Sequence, residues 1–194
     1  MQKPLYILIF FFFGTMLYAQ TEGTLIVLNK SGHTVNFIDL ATDRIVAEIP
    51  TGKNPHEVAV NTDGTLAVVT NYGNADHRGN SLTVIDIPNK SVKYTHLLDY
   101  SAPHGIVFFD ENRVLVTSET SKRLLLVNIE NGLIEKTVST AQDISHMVEY
   151  APKPQRAFVA NIGSGSVSVI DLKNFQLIQN IKTGLGAEGI AVSP

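Results

Sequence analysis

The feature that most constrains this chain is an internal repeat that begins after residue 20. Leu25-Ile26-Val27-Leu28-Asn29, Ala67-Val68-Val69-Thr70-Asn71, Val114-Leu115-Val116-Thr117-Ser118 and Ala157-Phe158-Val159-Ala160-Asn161 are four versions of one segment. Their last residues lie 42, 47 and 43 positions apart. A second segment follows each of them: Thr34–Leu40, Leu82–Ile87, Leu124–Ile129 and Val167–Leu172. From Asn29, Asn71, Ser118 and Asn161 to Asp39, Asp86, Asn128 and Asp171 takes 10, 15, 10 and 10 residues. The single excess of five falls within Tyr72–Asn80, so a constant frame carries one enlarged loop. A period in the forties means that one supersecondary unit is stacked repeatedly, because a single unit cannot bury its own apolar face.

Within the unit the signal is β. Runs of four to seven residues rich in Val, Ile, Leu, Thr and Phe alternate with Asn, Asp, Gly and Pro clusters. After residue 20 no segment sustains a helical period over a helix-length window. The second copy predicts strand A over His56–Val60, B over Thr65–Asn71, C over Ser81–Ile87 and D over Ser91–Asp99. Four short strands in a period near 43 fit a propeller blade, for which about 40–50 residues is usual. The Asp, or Asn at 128, that closes each C strand is expected to accept hydrogen bonds from amides two or three residues on and so start a turn.

Val68-Val69-Thr70-Asn71, Thr83-Val84-Ile85-Asp86 and Pro55-His56-Glu57-Val58-Ala59-Val60 resemble the YVTN-repeat β-propeller family, from about residue 24 to the end. That family's pattern is Tyr-Val-Thr-Asn, then Val-Ile-Asp, then Pro-x-Gly-Val-Ala-Val. Ser118, Ala160 and Asn128 depart from it. The resemblance implies an all-β propeller of four-stranded blades, usually seven, which at this period needs about 300 residues. The chain from Thr24 onward holds about four periods, with repeats near 24–64, 65–112, 113–155 and 156–194. The expectation is therefore the N-terminal part of a longer protein, with three whole blades and two partial ones.

The N-terminus reads as a targeting segment. Lys3 precedes the apolar run Leu5–Phe13, and a small residue, Ala19, stands where a signal peptidase would cut. A signal peptide over 1–19 is the expectation, and the run is shorter than the ~20 residues of a membrane anchor. The processed chain, 20–194, would then be periplasmic or extracellular and carry no membrane span. The chain has no cysteine, so disulfides, thiolate metal sites and a lipoprotein anchor are excluded. A formal net charge of −3 offers no basic field for nucleic acid.

The candidate site is a second recurrence. His56, His104 and His146 occupy one repeat position, 48 and 42 residues apart, and Glu188 follows 42 later. In a propeller, strand A lines the central channel, so these four residues would form an arc at one mouth. The B–C loops return to the same face, which adds Asp76, His77 and Arg78 of the enlarged loop. Three readings are open for the arc. Each histidine can pack beside its proline as repeat punctuation. The arc can hold a metal or an anionic ligand, since three imidazoles and a carboxylate suit zinc or copper; channel histidines hold copper in nitrous-oxide reductase propellers in this general way. Or it can be catalytic, as the Pro-His likeness to lactonase-type propellers implies, provided that an oxyanion donor and a substrate carbonyl come within reach. No catalytic residue or cofactor is assigned, and Cys-x-x-Cys-His for haem attachment is absent. Ser145-His146 is not a dyad, because strand neighbours point to opposite faces. Gly163–Ser166 reads as a B–C turn, not a phosphate loop. The expected function is an exported binding or scaffold module that takes a small-molecule or protein partner at the channel mouth. The alternative is a channel-site enzyme or redox partner: a lactonase-like hydrolase, or a metal- or quinone-linked dehydrogenase subunit of the amine-dehydrogenase or cytochrome cd1-like kind.

Overall fold

A computed structural model describes residues 22–193, so the signal segment expected over 1–19 lies outside the described residues. Those residues form fifteen strands and no helix. The first sheet has three strands, β1 (Thr24–Asn29), β2 (Thr34–Asp39) and β3 (Arg44–Pro50). Three four-stranded sheets follow. They are β4 (Pro55–Val60) to β7 (Ser91–Leu97), β8 (Pro103–Phe108) to β11 (Ile134–Ser139), and β12 (Ser145–Ala151) to β15 (Gln176–Lys182). Every pairing is antiparallel between chain neighbours, the up-and-down order of a propeller blade. Each four-stranded sheet begins with the end of one sequence repeat and finishes within the next, and the first sheet starts at strand B as the frame predicts.

Both faces of an inner blade are covered, and this accounts for the continuous apolar B and C strands. On β5 (Leu66–Gly73), Ala67 and Val69 pack with Val35 and Phe37 of the first sheet. Val68, between them, packs with Val114 and Val116 of the third. On β9 (Arg113–Ser118), Leu115 faces the fourth sheet, against Val148, Ala157 and Val159. These side chains are fully buried or nearly so, and each valine, leucine or phenylalanine among them contributes about 1.5–3 kcal/mol of transfer free energy. The outer strands β3, β7 and β15 are mostly exposed, so the core lies between blades.

The recurrent polar residues have separate tasks. Asn71 Nδ2 donates to Ser81 Oγ and Thr83 Oγ1 at 3.0 Å, tying strand B to strand C. Asn29 does the same with Thr34 and Asn36, and Asn161 with Ser168. Ser118 is too short for that reach and donates to the Ser101 carbonyl instead. At the C–D turns, Asp39 Oδ1 accepts from the amides of Ala41 and Thr42, and Asp171 from Lys173. Asp86 accepts from Asn89 and Asn128 from Glu130. These bonds hold the Asp39, Asp86 and Asp171 carboxyls below the usual range, with hydrogen bonds as the main cause.

Two expectations need correction. The five-residue excess at Tyr72–Asn80 is largely not a loop: it lengthens the β5–β6 hairpin, with Gly73 paired to Arg78, and leaves a turn over 74–77. The fourth inner strand, which Glu188 was expected to open over Ala187–Val192 in the register of His56–Val60, is not formed, because no strand among the described residues lies beside it to complete a ladder.

Candidate functional site

Three features of each inner strand position its histidine. The residue two before it has positive φ: Asn54 at 51°, Ala102 at 54° and Ile144 at 55°, with Gly186 at 76° in the fourth copy. A left-handed turn thus precedes every copy, although only glycine adopts it without penalty. The ladder then skips, since pairing moves from Pro55↔Asn71 directly to Val58↔Val69, and likewise past Pro103 and Ser145. Two residues, the histidine and its successor, face one on strand B, which is the geometry of a bulge that re-aims side chains. The bulge frees an amide, and the threonine of the Val-Thr-Asn run takes it. Thr70 Oγ1 accepts from the Glu57 amide at 3.1 Å and donates to the His104 carbonyl of the next blade at 2.8 Å. Thr117 repeats this between the Gly105 amide and the His146 carbonyl. Gly105 is required at this crossing, because a Cβ there would lie 2.5 Å from the His146 oxygen.

The bulges bring side chains of three blades into contact. The ring centroids of His56 and His104 are 4.0 Å apart, and those of His104 and His146 are 3.7 Å apart. His104 is only 2 % exposed. Burial, reinforced by the neighbouring His146 and His56, pushes its pKa down from 6.5 to about 3, so it is neutral. Tyr72 stands beside the rings of His56 and His104 at 5.3 and 5.5 Å.

One acid organises the cluster. Glu119 Oε1 lies 2.5 Å from His146 Nδ1, and Oε2 accepts from the Tyr72 hydroxyl at 2.5 Å. Burial raises the Glu119 pKa, but the hydrogen bonds from His146 and Tyr72 outweigh it and the carboxyl stays ionised below the usual range. The same environment, burial first and then Glu119, raises the Tyr72 phenol. Arg78 Nη1 donates to the Tyr72 oxygen at 2.9 Å. The result is an unbroken run from Arg78 through Tyr72 and Glu119 to His146. On the far side of that ring, Nε2 lies 3.4 Å from the carboxylate of Glu188, itself exposed.

The three histidines of the expected arc therefore meet, and Glu188 touches its end. Of the hairpin trio only Arg78 joins; Asp76 and His77 stay exposed, their amides bonded to Asn74 Oδ1. Glu119 and Tyr72 escaped the sequence reading. Both directly follow the last residue of the B-strand motif, as Lys30 and Ile162 do in the other copies. That register was the available signal, hidden because its residue type changes in every copy.

Chemically the cluster offers imidazole nitrogens, one anchored carboxylate, Glu119, and a phenol at one end of the inner strands. His56, Glu57 and His104, and separately His104, Glu119 and His146, each bring three ligand atoms within 4.8 Å of one another.

No family model matches the chain. Over 147 residues it is 26% identical to the uncharacterized protein YncE of Salmonella typhi, covering 74% of this chain and 40% of that protein. It is 25% identical to YncE of Salmonella typhimurium LT2 over the same shares. Among solved structures, hydrazine synthase of Kuenenia stuttgartiensis superposes with a TM-score of 0.71 and 24% identity, over 83% of this chain and 46% of that one. The chain thus spans less than half the length of each. The likeness to the solved structure concerns the fold alone. Blade order, inter-blade cores and this superposition make the chain a β-propeller.

Proposed function

We propose that this chain is the histidine-bearing part of an exported propeller of the YVTN-repeat type, and that it binds a small-molecule or protein ligand at the mouth where the inner strands begin. The supporting observation is the convergence of His56, His104 and His146 from three different blades upon Glu119 and Tyr72. Packing alone does not require a buried carboxylate held ionised among imidazoles, since a buried charge is costly unless fully bonded. Export to the periplasm or outside is supported by Lys3, the apolar run Leu5–Phe13 and Ala19.

The binding reading is tested by comparing thermal shifts for a library of organic acids, sugars and amines. The full-length protein is set against the Tyr72→Phe/Glu119→Gln double variant. Compounds that raise the wild-type Tm are expected to lose their effect in the variant. Equal stabilisation of both proteins, or none of either, contradicts binding at this mouth.

One observation favours a second reading. A carboxylate that fixes His146 Nδ1, with Nε2 facing only the exposed Glu188 side chain, is the arrangement of a general base once Glu188 swings aside. A channel-site hydrolase acting on lactones follows from it. Lactone hydrolysis that falls at least a hundredfold in His146→Gln would support that reading; unchanged rates would remove it.

A further inference from the structure

The cluster's two sets of three ligand atoms are not equivalent. In the set of His104, Glu119 and His146, the acid is already committed. Its Oε1 is hydrogen-bonded to His146 and its Oε2 to Tyr72, both at 2.5 Å, so a cation there would have to break two short bonds. In the set of His56, Glu57 and His104, the donors are free. The Nδ1 atoms of His56 and His104 are buried and have no hydrogen-bond partner among the described residues. An orphaned buried ring nitrogen is uncommon and calls for a reason. His56 Nδ1 lies 3.5 Å from Glu57 Oε1. Two ligands on one tetrahedral ion at zinc distances are about 3.4 Å apart.

The tautomer of His104 fits as well. Its Nε2 is 4.0 Å from Glu119 Oε1, the nearest carboxylate. The anion is too far from Nε2 for a hydrogen bond but near enough to favour the proton on that side of the ring, which leaves Nδ1 with its lone pair, the form a metal requires. The bulge supplies the remaining element. It sets His56 and Glu57 against one residue of strand B, so consecutive side chains need not diverge as they do on a regular strand. His56 is 23 % and Glu57 33 % exposed, which gives an entry path and leaves coordination positions open outward.

We infer that His56, Glu57 and His104 form a two-histidine, one-carboxylate site for a divalent first-row transition metal, with Glu119 as the positioning residue behind His104. The inference rests on the mouth-binding reading and names what the mouth first holds. Imidazole with carboxylate selects ions such as zinc or cobalt over magnesium and calcium, which take oxygen sets. The open positions would face an incoming ligand.

The test is titration of the full-length, chelator-treated protein with Co²⁺, followed by its visible d–d absorption, and with Zn²⁺ by calorimetry. One equivalent of each is expected. Binding should weaken at least tenfold in Glu57→Gln and in His56→Ala, both partly exposed positions, with unchanged circular dichroism confirming the fold. His146→Gln should bind within threefold of wild type. Loss in His146→Gln with retention in Glu57→Gln would move the ion to the other triad and overturn the assignment. Absence of stoichiometric binding by the wild type would overturn it too. If the ion fails while organic ligands still distinguish wild type from the Tyr72→Phe/Glu119→Gln variant, the metal inference falls and the mouth reading stands.

Discussion

Two series recur along this chain at nearly the same spacing, and the structure uses them in opposite ways. Asp39, Asp86 and Asp171 accept from groups two or three residues on in their own turns, and Asn128 does so too while adding a bond to Glu135 of the same blade. His56, His104 and His146 reach out of their own blades: their rings contact one another and His146 meets Glu119 of the blade before it. Recurrence alone does not separate the two cases. The separation lies in where the partners are, since a turn residue satisfied inside its repeat is complete in one blade and a cross-blade residue is not. Both ends carry a left-handed residue and a ladder irregularity: the A–B ladders skip at the histidines, and the C–D ladders shift just before Asp39, Asp86, Asn128 and Asp171, so backbone distortion does not separate them either.

Substitutions and pH should act unequally on the two ends. The largest effect is acid. His104 is neutral when folded, with a pKa of about 3, and takes a proton near 6.5 when unfolded. The unfolded state therefore binds more protons between those values, and stability is complete above pH 6.5 and lost as pH falls toward 3. The full loss is on the order of 5 kcal/mol. Urea unfolding of metal-free protein across that range should show it, and a His104→Phe variant should flatten the slope; an equal slope in both proteins would place the titrating group elsewhere.

Next in size is the threonine link between blades. Thr117→Val leaves the Gly105 amide and the His146 carbonyl without the hydroxyl that joins them, at about 1–3 kcal/mol. Thr70→Val should behave alike through Glu57 and His104. Chemical denaturation midpoints at constant m-value measure both. A third change should stabilise: Ile144, β-branched and at φ 55°, replaced by Gly gains about 1 kcal/mol from relief of the left-handed conformation. A loss of stability in Ile144→Gly would mean that its side-chain packing matters more than the backbone. The smallest effect belongs to the other end. Asp86→Ala, at an exposed turn, should move the midpoint less than either threonine change and leave ligand binding at the histidine end unaltered.

The fold was legible because each blade repeats the same solution. Apolar B and C strands buried on both faces, with Asn and Asp at their ends, announce themselves four times over. The arc was legible in part, because His56, His104 and His146 keep one residue type at one register. Glu119 was not, since its register holds Lys30, Tyr72, Glu119 and Ile162 and no single chemistry recurs. The bulges were hidden as well. Thr70 and Thr117 looked like ordinary strand residues, and only the skipped pairing shows why their hydroxyls are needed. The hairpin at Tyr72–Asn80 read as a loop because Gly73, Asn74 and Gly79 are turn residues by composition, yet the ladder continues to Gly73 and Arg78. The strand missing at 187–192 shows the converse limit: a strand pattern without a neighbour forms no sheet.

The inner end is one cross-blade cluster with a neutral histidine at its centre. Imidazole ¹⁵N spectra of the metal-free protein, followed from pH 8 to pH 4, test it most directly. His104 should stay neutral throughout and His146 should carry its Nδ1 proton toward Glu119, with that proton signal lost in Glu119→Gln. An inflection of His104 near pH 6.5, as for a solvated imidazole, would contradict it.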